Sequence, residues 1–519
     1  MKKKLKLRRY HAPVYSEPII MEMGHKGERG ILIPSAEDEI EKVVGSADSY
    51  VPREMRRKEL PALPEISQPQ LLRHYLHLSQ QTLGMEENID IGQGTCTMKY
   101  SPKVNEQLVR SAEVTELHPY QDESTIQGIL EVLYKFGQFL QEISGMDQFS
   151  FQPSGGGAAT FTNACVFRAY HAEKGELEQR NEIITTIFSH PCDAATPATA
   201  GFKVITLMPD KNGYPDLDAL KAACSEHTAG MMITNPEDTG IYNPRIEEYV
   251  KAVHAVGGLC FYDQANLNGI MGIARAREAG FDACHFNLHK TFSSPHGCFG
   301  PATGAYGVRE DLIKFLPTPI VMYENKKGRY YLKYDMPNSI GHTKEFFGNV
   351  EVVLRAYSWV MNMGAEGLLE ASHMSVINLN YLAKLLMKIP GVVRYYAEGK
   401  YRLDQTRFSW EKLKEETGVG TLDVQNRMVD FGITQHFTSH HPWVVPEPFT
   451  PEPCETYSKE DIEYWAAVLE QVSKEAYSNP ELVKTAPHNQ TIHKVRLEWL
   501  DDPKKWAMTW RAYKKKFKK

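Results

Sequence analysis

GMMITNPEDTGIYNPRIEEYVKAVHAVGGLCFYDQAN, residues 230–266, opens and closes on a short apolar run with a helical stretch between them. The runs GMMIT (230–234) and GLCFYD (258–263) are bounded by turn residues and read as strands. The same texture extends in both directions, through FSFQ (149–152), EIITTIF (182–188), KVITL (203–207), ACHFN (283–287) and TGAYGV (303–308). Strands spaced by helical patterns imply βαβ crossovers and a mostly parallel sheet buried on both faces. Seven such runs predict one large α/β domain over 91–345. Upstream, 1–90 reads as an arm, rich in Pro, Glu and Arg, that wraps another part of the protein and ends in an amphipathic helix (71–85). TIQGILEVLYKFGQFLQEISG (125–145) spaces its apolar residues as a helix and stops at Gly145. Downstream, connecting helices (346–390) lead to a smaller α+β domain (391–500) and a basic tail (501–519).

Composition sets the class. The chain has 519 residues, 42% of them hydrophobic and 24% charged, which excludes collagenous and disordered classes. Its net charge is −6, but residues 1–11 carry six Lys/Arg and 503–519 carry eight, with no acid in either. The body is therefore −20, an acidic globule with two basic ends, and no nucleic-acid partner is expected. The ends read as solvated tails or as docking arms for an acidic partner. No apolar run is long enough for a membrane helix, and none follows the basic N-terminus as a signal peptide requires. Eight scattered cysteines without CxxC read as reduced thiols of a cytoplasmic protein.

Three motifs carry chemistry. Ser154, Gly155, Gly156 and Gly157 follow a strand and open a helix, where free N–H groups and the helix dipole suit a phosphate. The alternative is a tight strand-to-helix turn. Asp263, followed by Gln264 and Ala265, stands at the C-terminal end of a strand, where α/β sheets bind ligands; the plainer reading is a helix cap. Lys290 follows another strand inside Asn287-Leu288-His289-Lys290, and a desolvated lysine can bond an aldehyde, although most lysines in loops are solvated. Together, a phosphate cradle, a strand-end Asp and a strand-end Lys 27 residues later are what pyridoxal phosphate requires. Ala265, Asn287 and His289 complete the candidate cofactor contacts, with His289 also a catalytic candidate. Thr97, Lys99, Asn235, His296 and His342 are candidates on the substrate side. His436, His440 and His441 lack ligand partners at metal spacing and read as packing or cleft contacts, so no metal is expected. Trp443, Trp465, Trp499 and Trp506 read as core or interface residues.

At NLHKTFSSPHG (287–297) the sequence resembles the glycine-cleavage P-protein, specifically subunit 2 of the two-subunit glycine dehydrogenase (decarboxylating). The likeness continues through GTCTMKYSPK (94–103), LHPYQ (117–121), TNP (234–236), YDQAN (262–266), SIG (339–341) and APHN (486–489). It implies the fold-type-I, aspartate aminotransferase-like pyridoxal phosphate fold, with Lys290 as Schiff-base lysine and Asp263 as partner of the pyridine nitrogen. It also implies decarboxylation of glycine, with the aminomethyl group passed to the lipoyl disulfide of an H-protein, and a homo- or hetero-oligomer that includes a subunit-1-like partner.

Departures from the family fall near the chemistry. Its phosphate loop QPAAGAHGE is QPSGGGAAT here, with Ala158 in place of histidine. Its SAHGTNPASA is replaced around HPCDAATPATA (190–200), where Asp193 stands and a histidine and a threonine are lost. Its arginine after SIG is His342, and its YFP before VPE is His440-His441-Pro442. Two alternatives follow. One is a divergent decarboxylase, lyase or aminotransferase acting on another amino acid or amine; the other is a non-catalytic scaffold subunit, which retention of Lys290 and Asp263 opposes.

Overall fold

The computed structural model describes residues 5–59, 61–89, 91–92, 99–296, 300–434, 438, 440, 444–495, 498 and 500–517. Each of the seven apolar runs forms a strand: β1 (Gln148–Ser150), β2 (Glu182–Thr186), β3 (Lys203–Leu207), β4 (Thr228–Thr234), β5 (Leu259–Asp263), β6 (Ala283–Asn287) and β7 (Gly304–Val308). They make one sheet in the order β1-β7-β6-β5-β4-β2-β3. Neighbours pair in parallel except at β7, which runs antiparallel to both β6 and β1. The mostly parallel sheet read from the sequence is therefore the fold observed.

Successive side chains of a strand point to opposite faces, and both faces are packed. Ile184, Met231, Cys260 and Tyr262 join a core on one side with Leu133, Phe136 and Leu140 of the helix Gln127–Ser144. Ile183, Met232 and Phe261 join Phe167 and Tyr306 on the other. Each such buried side chain contributes about 1.5–3 kcal/mol. The helix Gln127–Ser144 stops where Gly145 turns left-handed, at φ 76°.

The helix Val350–Leu386 is broken at Gly364 (φ 62°, ψ 178°), and its two ends serve different cores. Val352, Val353 and Trp359 pack on the sheet, whereas Leu382, Ala383 and Leu386 join a separate core with Trp410 and Trp465. That second core covers a small sheet of Val393–Arg394, Phe408–Ser409 and Pro448–Phe449. Trp465 is a core residue as expected and Trp506 is exposed; Trp443 and Trp499 lie outside the described residues.

The two ends, read as solvated tails or docking arms, differ from each other. Near the N-terminus, Arg8 N donates to Tyr464 Oη (3.2 Å) with its guanidinium over that ring, and Tyr10 N donates to Asp430 O (3.0 Å). This end lies on the C-terminal unit because backbone hydrogen bonds and an aromatic face hold it there. The helix Trp510–Phe517 has no buried residue. The arm is fastened where Glu17 meets His74 and His77, yet Ile31, Leu32, Ile33, Val43 and Met55 are exposed. Among the described residues, no helix is long and apolar enough to cross a membrane.

Candidate active site

The C-terminal edges of β4, β5 and β6 bring most of the sequence candidates together. Residues 153–155 lead straight into the helix Gly156–Glu173, so Gly155 caps it and Gly156 and Gly157 lie in its first turn. Ser154 and Gly157 are exposed at this helix start. Close approach requires the glycines: a Cβ on Gly156 would sit 2.8 Å from Asn287 Nδ2, and one on Gly304 would sit 2.5 Å from Gly155 O.

Asp263 ends β5 and is buried; its Oδ1 accepts from Ala265 N at 2.9 Å. Parallel pairing of β5 with β6 sets His285 beside it, Nε2 to Oδ1 3.5 Å, and His285 stacks on Phe261. Burial holds the His285 imidazole below its usual range, which leaves it neutral. Lys290 is also buried, and its N–H donates to Asn287 O at 3.0 Å. His289 packs edge-on against His296, with ring centroids 4.3 Å apart. Burial, then the charge of Lys290, pushes the His289 imidazole down to about 2.

The remaining candidates are placed differently. Lys99 is buried and its Nζ donates to both Glu455 oxygens, at 2.7 and 2.8 Å. The Asn235 side chain is committed to Asn243, whose N donates to its Oδ1 at 2.8 Å, and so shapes the loop after β4. His342 is exposed. Thr97, His436 and His441 lie outside the described residues.

Folding adds residues that the motifs did not name. His190, after β2, lies within electrostatic reach of both Lys290 and Asp263; burial first, then Lys290, pushes its imidazole down to about 4. Its ring meets His440 at 5.1 Å. Burial would raise Asp238, but the Arg407 guanidinium, which donates to its carboxylate, and His440 outweigh that and hold it at about 2. Arg407 is itself buried, lies over the Phe188 ring, and has no hydrogen-bond partner at Nε or Nη1 among the described residues. Two more buried carboxyls, Asp404 and Glu452, meet through Asn266, and burial raises both. The signal that could have revealed Arg407 is RLDQTR (402–407), an unusually polar run in which Arg402, Asp404, Gln405, Thr406 and Arg407 are all buried.

The arrangement accommodates a phosphorylated aromatic aldehyde. The glycine turn exposes backbone donors at a helix start, a carboxylate stands across the site, and a buried amine lies between sheet and loop. Asn287 Oδ1, His289 Nδ1, Ser294 Oγ and Thr303 Oγ1 are buried without a hydrogen-bond partner among the described residues, as ligand-contacting groups would be. Over 508 residues the chain is 44% identical to "Probable glycine dehydrogenase (decarboxylating) subunit 2" of Pyrococcus abyssi, covering 97% of this chain and 98% of that protein. The chain belongs to the glycine dehydrogenase (decarboxylating) subunit 2 family. A relative of the same name from Caldanaerobacter subterraneus subsp. tengcongensis is 43% identical, covering 92% of this chain and 96% of its own. Residues 155–433 match the Aminotransferase class-V family. Among solved structures, a glycine decarboxylase (P-protein) of the glycine cleavage system in inhibitor-bound form superposes with a TM-score of 0.69. It has 18% identity and covers 85% of this chain and 99% of its own. As a member of the glycine dehydrogenase subunit 2 family, the chain is a pyridoxal phosphate-dependent enzyme of fold type I.

A pH dependence arises beside the site. Glu237 is buried with the Thr186 hydroxyl as donor, and burial pushes its carboxyl up to about 8. A carboxyl raised above its unfolded value favours folding most at low pH, and that contribution is lost as pH rises from ~4.5 to about 8. Glu237→Gln keeps the acceptor and removes the titration. Relative to the wild-type chain it gains up to ~4 kcal/mol between about pH 5 and pH 9. Parallel melting curves for the two chains across that range would disprove the assignment.

Proposed function

We propose that this chain is the cofactor-bearing subunit of a two-subunit glycine dehydrogenase, which decarboxylates glycine and passes the aminomethyl group to a lipoylated H-protein-like carrier. The observation that carries it is the pairing of buried Lys290 with Asp263 opposite the glycine helix start, in a chain 44% identical to proteins of that name. In this reading residues 154–157 receive the phosphate on backbone N–H groups. Lys290 bonds the cofactor, with Asn287 and Ala265 beside it, and Asp263 holds a proton at the ring nitrogen. Bound there, the cofactor supplies an electron sink for the pair left behind when a carboxylate departs as CO2. Arg407 receives that carboxylate before it departs, through the Nε and Nη1 groups it has to spare. His289 and His190, held neutral by burial and by the Lys290 charge, add no positive charge to the site and can serve as neutral hydrogen-bonding groups. The exposed apolar residues of the arm support contact with a partner subunit. Free thiols at each described cysteine fit a reducing, cytoplasmic setting.

A second reading keeps the cofactor and changes the substrate to another amino acid or amine. It draws on Ala158 and Asp193 at positions where the family motifs carry histidine. Exchange of labelled bicarbonate into glycine separates the two readings. With cofactor, a subunit-1-like partner and lipoylated carrier present, exchange is expected from glycine and not from larger amino acids. No exchange by a cofactor-loaded protein would sink the first reading.

A further inference from the structure

Asp193 is the second residue of the helix Cys192–Thr199 and is fully buried, and among the described residues neither of its carboxyl oxygens has a well-formed hydrogen bond. One of those oxygens, an Asp263 oxygen and Cys192 Sγ all lie within 4.8 Å of one another. Two carboxylates so close in a buried site do not both ionise; one keeps a proton. Asp263 Oδ1 accepts from the Ala265 N–H at 2.9 Å, whereas Asp193, among the described residues, has only the pull of the His190 backbone in that sense. The proton therefore belongs on Asp193. From this geometry we infer that Asp193 is a neutral carboxylic acid whose O–H points at the Asp263 carboxylate and sets how strongly Asp263 holds a proton at the cofactor's ring nitrogen.

The other groups facing this pair agree. Burial, then the Asp263 charge, raises the Asp193 carboxyl well above its usual range, and Glu237 adds to the rise. The His190 backbone, near the Asp193 carboxyl, acts weakly in the other direction. Burial also holds the Cys192 thiol up, so Cys192 adds no negative charge. Lys290 supplies the positive charge in the site, and His285 is neutral. In the resembling family a histidine belongs to this stretch; here an acid takes over as the group behind Asp263. Asp193 acts through Asp263 and is thus a positioning residue, one that weakens Asp263 as a base by giving it a hydrogen bond.

The inference rests on the cofactor lying with its ring nitrogen at Asp263, and the experiment separates the two. Infrared difference spectra of the holoenzyme at neutral pH, wild type minus Asp193→Asn, are expected to contain one protonated-carboxyl stretch. In Asp193→Ala, which removes the donor, the pH midpoint of the bound cofactor's visible band is expected to move by about one unit or more. Asn, which keeps a donor, is expected to restore most of that shift. Wild-type protein gives a second readout that needs no variant. The same carboxyl stretch is expected to move on loading pyridoxal phosphate and to stay put on loading the analogue whose ring nitrogen is replaced by carbon. No protonated-carboxyl difference between wild type and Asn, or a midpoint unmoved in Ala, overturns the role of Asp193. A stretch that responds equally to both cofactors overturns instead the placement of the ring nitrogen at Asp263.

Discussion

Lys290→Ala is expected to yield a folded chain that has lost the visible absorbance of covalently held cofactor and at least ~10³-fold in turnover. The residue is 5% exposed, so its amine is not a solvated surface group. Its backbone N–H is tied to Asn287 O, which fixes where the side chain starts at the sheet edge. Alanine preserves that hydrogen bond and removes only the nucleophile, so folding should survive. Arginine at the same position would retain the charge without an amine able to bond an aldehyde, and should be as inactive as alanine. Absorbance that persists in Lys290→Ala would reject the assignment, whatever the activity. Melting curves recorded beside the spectra show whether a lost band reflects chemistry or unfolding.

Arg407→Gln is the second large effect. Truncating one partner of a buried charged pair costs about 2–5 kcal/mol, which here would appear as roughly a 30- to 5000-fold fall in kcat/KM. If the guanidinium grips the substrate carboxylate, most of the loss falls on KM, and the cofactor spectrum is unchanged. Removing the guanidinium also strips Asp238 of the charge that outweighs its burial and holds it near 2. A carboxyl depressed in this way stabilises the fold above its unfolded value of ~3.9, and the contribution is lost as pH falls toward about 2. Arg407→Gln should therefore lose stability at neutral pH and show a flatter acid limb in melting experiments. The double variant with Asp238→Asn should recover stability but not KM. Recovery of both would reduce Arg407 to a structural counter-ion.

The sheet was legible because its order is written locally. Each strand is a short apolar run, and alternate residues such as Ile183 and Ile184 go to opposite cores, so burial on both faces leaves a continuous apolar word in the sequence. Asp263 and Lys290 came forward as candidates for the same reason, as polar residues at or shortly after the ends of such words. Arg407 was not. It meets Asp238 across 169 positions of sequence, and Glu452 reaches Asn266 across 186, separations that no local pattern encodes. Asp193 stood in view as a departure from the family motif. Its partnership with Asp263 needed the fold, which joins the turn after β2 to the end of β5. At the N-terminal basic end the exposed Lys6, Arg8 and Arg9 agree with solvation, but the backbone anchoring was not legible, for a related reason. Charge alone suggests solvation, whereas the backbone hydrogen bonds from residues 8–12 and the Tyr464 ring hold it down.

The helix broken at Gly364 runs from the sheet's packing to a separate core, and this separation has an evolutionary reading. Asp263, Lys290 and the glycine turn are anchored in the sheet cores, while Arg407 and Glu452 hang from the core around Trp410 and Trp465. Mutations that retune the second core are expected to move Arg407 and Glu452 and to leave Asp263 and Lys290 in their register on the sheet. A lineage built this way can explore new amines without first surrendering its reaction, so innovation and inheritance occupy different halves of one polypeptide.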